Sequence, residues 1–277
     1  MPMLKIGVNM HKSVEIYYED HGTGKPVVLI HVRPLGGQSW EAQVLALVDA
    51  GYRVVTYDHR GFGASSQPRN GYDYDIFSAD LQGLMTHLDL KDATLVELSA
   101  GGGEVARYIG TYGTERIAKA VFTGAIPPHL HKILEQAEGG LDDATIQFVQ
   151  DSVKKDRMVP LNTLTTNFFT AGGKMVVSEA RRVYARDMAA FASPKGTLNC
   201  IAAFATTDFR ADLAKCTLPT LVIHGESDGI VPLKVSGART REAIPGSQLH
   251  VVKEALHGFN LSHAAEFNQV LLNFLAE

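Results

Sequence analysis

Cysteine is scarce: Cys200 and Cys216 are the only two in 277 residues, and they lack CxxC spacing. Two such thiols build neither a disulfide framework nor a cysteine metal cage, so they read as buried thiols of a reducing compartment. Long apolar runs are missing too. No window reaches the ~18 apolar residues of a membrane span, and the N-terminal stretch MPMLKIGVNMHKS has no long apolar core and no small-residue cleavage site. The expected location is the cytoplasm, with no membrane partner. Neither sign of charge dominates, since 26 Lys plus Arg face 30 Asp plus Glu for a formal net charge of -4. That balance disfavours nucleic acid as a partner, and 45% hydrophobic residues disfavour disorder. A small molecule is the expected partner, and a homo-oligomer is left open.

What is present is a regular alternation. Short apolar runs bounded by turn signals recur at 27–31, 52–58, 93–99, 117–125, 220–225 and 248–255, and VEIYYED (14–20) alternates like an edge strand. Helical patterns separate them at 39–51, 74–90, 103–113, 234–244 and 263–277. Strand and helix in turn predict an α/β fold, a mostly parallel twisted sheet covered by helices on both faces. The alternation stops between Pro127 and Cys216, where helical patterns follow one another without strands. The expected organisation is a core of 1–126 and 217–277 with a helical cap of 127–216, all one folded unit. Ligands of open α/β sheets bind outside the strand C-termini, so the cap is placed over the pocket.

Three polar residues fall just after strands on that edge. Ser99 follows TLVEL, Asp228 lies beyond TLVIHG, and His257 follows HVVKEAL. A serine hydroxyl is a weak nucleophile until a histidine takes its proton, and that histidine needs a carboxylate to fix its tautomer. Singly, these residues are as well explained as a helix cap, a turn former and a loop histidine. In the order Ser, Asp, His at successive strand ends they form the triad that α/β-hydrolases use.

The stretches YYEDHGTGKPVVLIH (17–31), YDHRGFGASSQP (57–68), GGGEVARYIGTYG (101–113), ASPKGTLNCIAAFATTDFRADL (192–213), PTLVIHGESDGIVP (219–232) and HGFNLSHAAEFN (257–268) carry a further implication. With them the chain resembles, over nearly its whole length, the α/β-hydrolases called cofactor-free haloperoxidases, which include perhydrolases, arylesterases and γ-lactam hydrolases. The resemblance implies Ser99 as nucleophile, Asp228 as orienting acid and His257 as base. It also implies an oxyanion hole from the backbone N–H groups of Arg33 and Ala100, and no cofactor or metal. Family members often carry a proline at the position of Pro34, and those that do lean toward perhydrolysis.

The sequence leaves that family around the triad. Where the family reads H-G-W-P, G-F-S-M-G and G-G-P-H-G, this chain has His31-Val32-Arg33-Pro34, Glu97-Leu98-Ser99-Ala100-Gly101 and Glu254-Ala255-Leu256-His257-Gly258. Arg186 stands in the cap where an aromatic pocket residue is expected. Val32, Pro34, Glu97, Leu98, Arg186 and Leu256 are therefore candidates for binding or tuning a substrate. A buried carboxylate at 97 needs a partner, and Arg33 is the candidate, since the two strand ends are expected to be neighbours. The other reading leaves Glu97 hydrated at a frayed strand end. An ionised Glu97 beside Ser99 opposes an oxyanion and slows ester hydrolysis. His31, His224 and His263 read as fold residues, Glu104 as a complement to its helix dipole, and His59 as part of the site's rim. The expected function is a serine hydrolase of small esters or lactams with perhydrolase or haloperoxidase side activity. The alternative is a retuned or engineered pocket that runs a different reaction or mainly binds a ligand.

Overall fold

A computed structural model describes residues 2–132, 140–171 and 173–277. The first part of the core runs through β1 (Met3–Asn9), β2 (Lys12–His21), β3 (Pro26–Ile30), α1 (Glu41–Asp49), β4 (Arg53–Tyr57), α2 (Tyr74–His87), β5 (Ala93–Leu98), α3 (Gly101–Tyr112) and β6 (Ile117–Thr123). The insertion holds α4 (Asp143–Lys155), α5 (Met158–Phe169), the two-residue strands β7 (Thr170–Ala171) and β8 (Lys174–Met175), α6 (Glu179–Ala190), α7 (Pro194–Thr206) and α8 (Arg210–Leu213). The chain then returns to the core with β9 (Thr220–Gly225), α9 (Gly237–Ala243), β10 (Gln248–Val252), α10 (Phe259–Ser262) and α11 (Ala264–Ala276). Asp73, Asp142, Ser178 and Ser193 each start a helix by accepting a backbone N–H with the side chain. Among the described residues no helix is long and apolar enough to cross a membrane.

Eight strands form one sheet in the order β1-β2-β4-β3-β5-β6-β9-β10. Pairing is parallel from β4 to β10, and β1 and β2 join antiparallel at one side. Here one expectation is corrected: β2 is not the edge strand, because β1 pairs along its outer side. The sequence MLKIGVN of β1 alternates only between exposed and half-buried residues, so it lacks the apolar run that marks the inner strands.

Successive side chains of a strand point to opposite faces, and the sheet uses both. Val28, Ile30 and Leu95 join the core cluster that contains α2 and α3 residues such as Phe77 and Val105. Val27, Leu29 and Val96 join the cluster that contains Leu47 of α1 and Phe267 and Phe274 of α11. The strand order reverses direction between β3 and β5. At such a switch point the loops after the two strands part and leave a crevice, which places the loop from His31 beside the turn at Ser99.

Candidate active site

The turn after β5 is tight. Ser99 has φ +61°, a left-handed conformation that costs an L residue ~1–3 kcal/mol and persists where the surroundings enforce it. Three bonds do so: Ser99 N–H donates to Thr123 O at 2.9 Å, and Ser99 O accepts from Gly102 N–H at 3.1 Å and Ile126 N–H at 3.2 Å. The serine is 6% exposed and stands before the N-terminus of α3.

Asp228 and His257 meet across two loops. After β9, the Asp228 Oδ1 accepts the N–H groups of Ile230 and Val231, both at 2.9 Å. Its Oδ2 lies 2.6 Å from His257 Nδ1, in the loop after β10. Burial alone would raise the Asp228 carboxyl, but the facing His257, the Val231 N–H and His224 outweigh it and hold the group below the usual carboxylate range. The other ring nitrogen, His257 Nε2, is buried with no protein partner among the described residues. The ring rests edge-on against Phe168 of α5, centroids 4.9 Å apart, and Gly258 N–H bonds Phe168 O at 3.0 Å. Side chains of α4, α5 and α7 roof a cavity of about 500 Å³ whose wall includes Ser99, His257, Arg33, Pro34 and Ala100. Phe168, which no sequence argument singled out, ties that roof to the histidine; its only signal was the apolar end of the α5 pattern.

Arg33 and Ala100 border the same cavity as Ser99, and among the described residues neither backbone N–H donates to another protein group. The side chain of Arg33 does not meet Glu97. Its guanidinium is buried, donates to Glu104 Oε2 at 2.9 Å, and sits 3.9 Å over the Phe77 ring. Glu104 also accepts from Tyr57 Oη and lies 2.5 Å from His59 Nε2. His59 Nδ1 in turn is 2.7 Å from His31 Nε2. Burial pushes the Glu104 carboxyl up, with Arg33 and Tyr57 acting against the rise. Burial lowers His59 and His31 well below the ordinary histidine value, so both rings are neutral. Glu104 therefore does more than face a helix dipole, and His59 lies inside a buried polar cluster rather than on a rim.

Glu97 corrects both readings of it. It is fully buried, so it is not hydrated at a frayed end, and its carboxyl faces α3 instead of Arg33. Oε1 accepts Thr123 N–H at 3.0 Å, while Oε2 has no partner among the described residues. Burial dominates and drives the carboxyl well above its ordinary value, although Thr123, Gly102 and Arg33 pull the other way. Burial thus favours the neutral acid over the carboxylate, and a neutral acid sets no field against an oxyanion. Room for it comes from the glycines that open α3: a Cβ at Gly102 would stand 2.6 Å from Glu97 Oε1 and 2.7 Å from Ala125 Cβ.

The remaining candidates separate. Pro34 borders the cavity, whereas Val32, Leu98 and Leu256 are buried without bordering it. Arg186 does not border it either. On α6 it folds back onto Asp187 at 2.7 Å, a surface pair between adjacent residues, because that face of the helix is open to water. Among the described residues no group of three or more His, Cys, Asp or Glu side chains can hold a metal ion. Cys200 and Cys216 are free and buried.

The sequence profile described as alpha/beta hydrolase fold matches residues 25–264. The chain belongs to the α/β-hydrolase family. It is similar to the crystal structure of a bromoperoxidase from Bacillus anthracis, with 57% identity, a TM-score of 0.97, and coverage of 100% of this chain and 99% of that one. It is 46% identical to a putative non-heme chloroperoxidase of Synechocystis, covering 99% of this chain and 100% of that protein. A bifunctional esterase/perhydrolase of Acinetobacter calcoaceticus is 33% identical over 97% of this chain and 98% of its own. Within the α/β-hydrolases its close relatives are thus non-heme haloperoxidases and perhydrolase-esterases.

Proposed function

We propose that this α/β-hydrolase is a serine hydrolase that cleaves small esters or lactams through an acyl-enzyme, with perhydrolysis and peracid-driven halide oxidation as side reactions. The observation that carries the reading is His257, held at Nδ1 by Asp228 at 2.6 Å with Nε2 buried and unbonded in the same cavity wall as Ser99. A histidine with one nitrogen anchored by a carboxylate and the other free of protein partners is what a serine needs as general base.

Ser99 Oγ attacks the substrate carbonyl as His257 Nε2 takes its proton. The N–H groups of Arg33 and Ala100 donate hydrogen bonds to the carbonyl oxygen and stabilise the charge that develops there, and loss of one such donor typically costs roughly 10²–10³ in rate. His257 returns the proton to the leaving alcohol or amine. Water then releases the acid, or hydrogen peroxide releases a peracid, which oxidises halide in solution. The esterase/perhydrolase named among the relatives supports both outcomes for this site.

Titration with a fluorophosphonate, with Ser99→Ala as control, tests the proposal. Rapid stoichiometric labelling of the wild type alone is expected. Absence of labelling would leave a hydrolase fold that mainly binds a ligand.

A further inference from the structure

The wall of the cavity says what it is built to hold. α4 presents Phe148, Val149 and Val153, α5 presents Leu161 and Leu164, and α7 presents Ile201. Among the described residues that border the cavity there is no carboxylate and no lysine. Its arginine, Arg33, directs its guanidinium at Glu104 and the Phe77 ring. The apolar lining also reaches the outside, since Phe148 is 72% exposed and Val159 61% while both border the cavity. Isolated surface hydrophobics are ordinary, but large ones gathered at the mouth of an apolar cleft mark where an apolar ligand meets the protein. An acetyl group would touch little of this wall, whereas about 500 Å³ lies in the range that encloses a drug-sized ligand.

We infer that the preferred substrates are uncharged esters carrying a medium-length alkyl chain, which lies along α4, α5 and α7 and ends near Phe148 and Val159. The inference rests on the serine-hydrolase reading and adds the substrate class. Each methylene moved from water to this wall favours the bound transition state, by about fourfold per CH₂ if burial is complete. A carboxylate on a chain short enough to end inside the cavity, beside Val153 and Ile201, finds no cation free to receive it among the described residues that border the cavity and must be buried unpaired, which selects against it.

Two ester series test this on the intact protein, one lengthened in the acyl group (p-nitrophenyl acetate to octanoate) and one in the alcohol (methyl to octyl acetate). Fluorophosphonate labelling is followed in parallel. The expected result is a rise of kcat/KM of about two- to fourfold per methylene in at least one series, reversed when a chain short enough to end inside the cavity carries a terminal carboxylate. Val149→Trp, on a half-buried position, is expected to fill the cavity and cut the long-to-short ratio by about tenfold. Normal labelling with both series flat or falling overturns the inference and leaves the serine-hydrolase reading intact. Normal labelling with an unchanged ratio in Val149→Trp also overturns it. No labelling and no turnover overturns both.

Discussion

Replacing Glu97 with glutamine keeps the shape of the neutral acid and removes its ability to ionise. In the native protein the carboxyl is fully buried, and burial drives it well above its ordinary value; in the unfolded chain it titrates near its ordinary value of 4.5. Its native pKa is therefore raised, so its contribution is intact below that ordinary value and stability is lost as pH climbs above it. The loss is about 1.4 kcal/mol for each pH unit over which the native group stays neutral. Glutamine has no such loss, and its Oε1 can still accept Thr123 N–H, the bond that Glu97 makes at 3.0 Å. Between pH 5.5 and 7.5 the stability of Glu97→Gln relative to wild type should therefore grow, by no more than about 1.4 kcal/mol per pH unit. At that limiting slope a chain of this size shifts by roughly 3 °C or more in Tm per pH unit. Urea or thermal unfolding of the two proteins across that interval measures it. Parallel curves would refute the reasoning, because they would mean that Glu97 is ionised in the folded state.

Two further substitutions probe the frame around Ser99. Gly102→Ala should destabilise by ~1–3 kcal/mol, since the new methyl meets Glu97 and Ala125, and pairing it with Glu97→Ala should recover part of the loss; additive losses in chemical unfolding would show that the two do not compete for space. Glu104→Gln leaves the buried Arg33 guanidinium without its carboxylate and should cost ~3–5 kcal/mol by the same measurement. Because Arg33 precedes Pro34 on the loop beside Ser99, the fluorophosphonate labelling rate of that variant should fall as well, and an unchanged rate would show that the ion pair does not position the loop.

Much of the architecture was legible because the inner strands announce themselves. β3, β5 and β9 are buried along nearly their whole length, and such continuous apolar runs separated by helical patterns leave little choice but a parallel sheet. β1 was not legible, since a half-exposed outer strand carries no such run. The grouping of Asp228 with His257 was likewise readable, from residue type and chain order at strand ends. The surroundings of Ser99 were not. Register does place Glu97 beside Ile30, one strand from the loop of Arg33, as expected. Yet the pleat sends Glu97 toward α3, and Arg33, beyond the end of β3, reaches Glu104, 71 residues away in sequence. Which of two nearby carboxylates an arginine finds depends on side-chain direction, which neighbouring strand ends do not reveal. Arg186 failed for a similar reason: its helix was foreseen, but not the face on which it stands.

The central claim is that Ser99 carries the acyl group during turnover, with His257 and Asp228 as its base and orienting acid. Rapid quenching of the protein with an activated ester, followed by peptide mass mapping, tests this most directly. The account predicts one acyl group per chain on Ser99 and none in Ser99→Ala. An acyl adduct on another residue, or ester turnover that persists in Ser99→Ala, would contradict it.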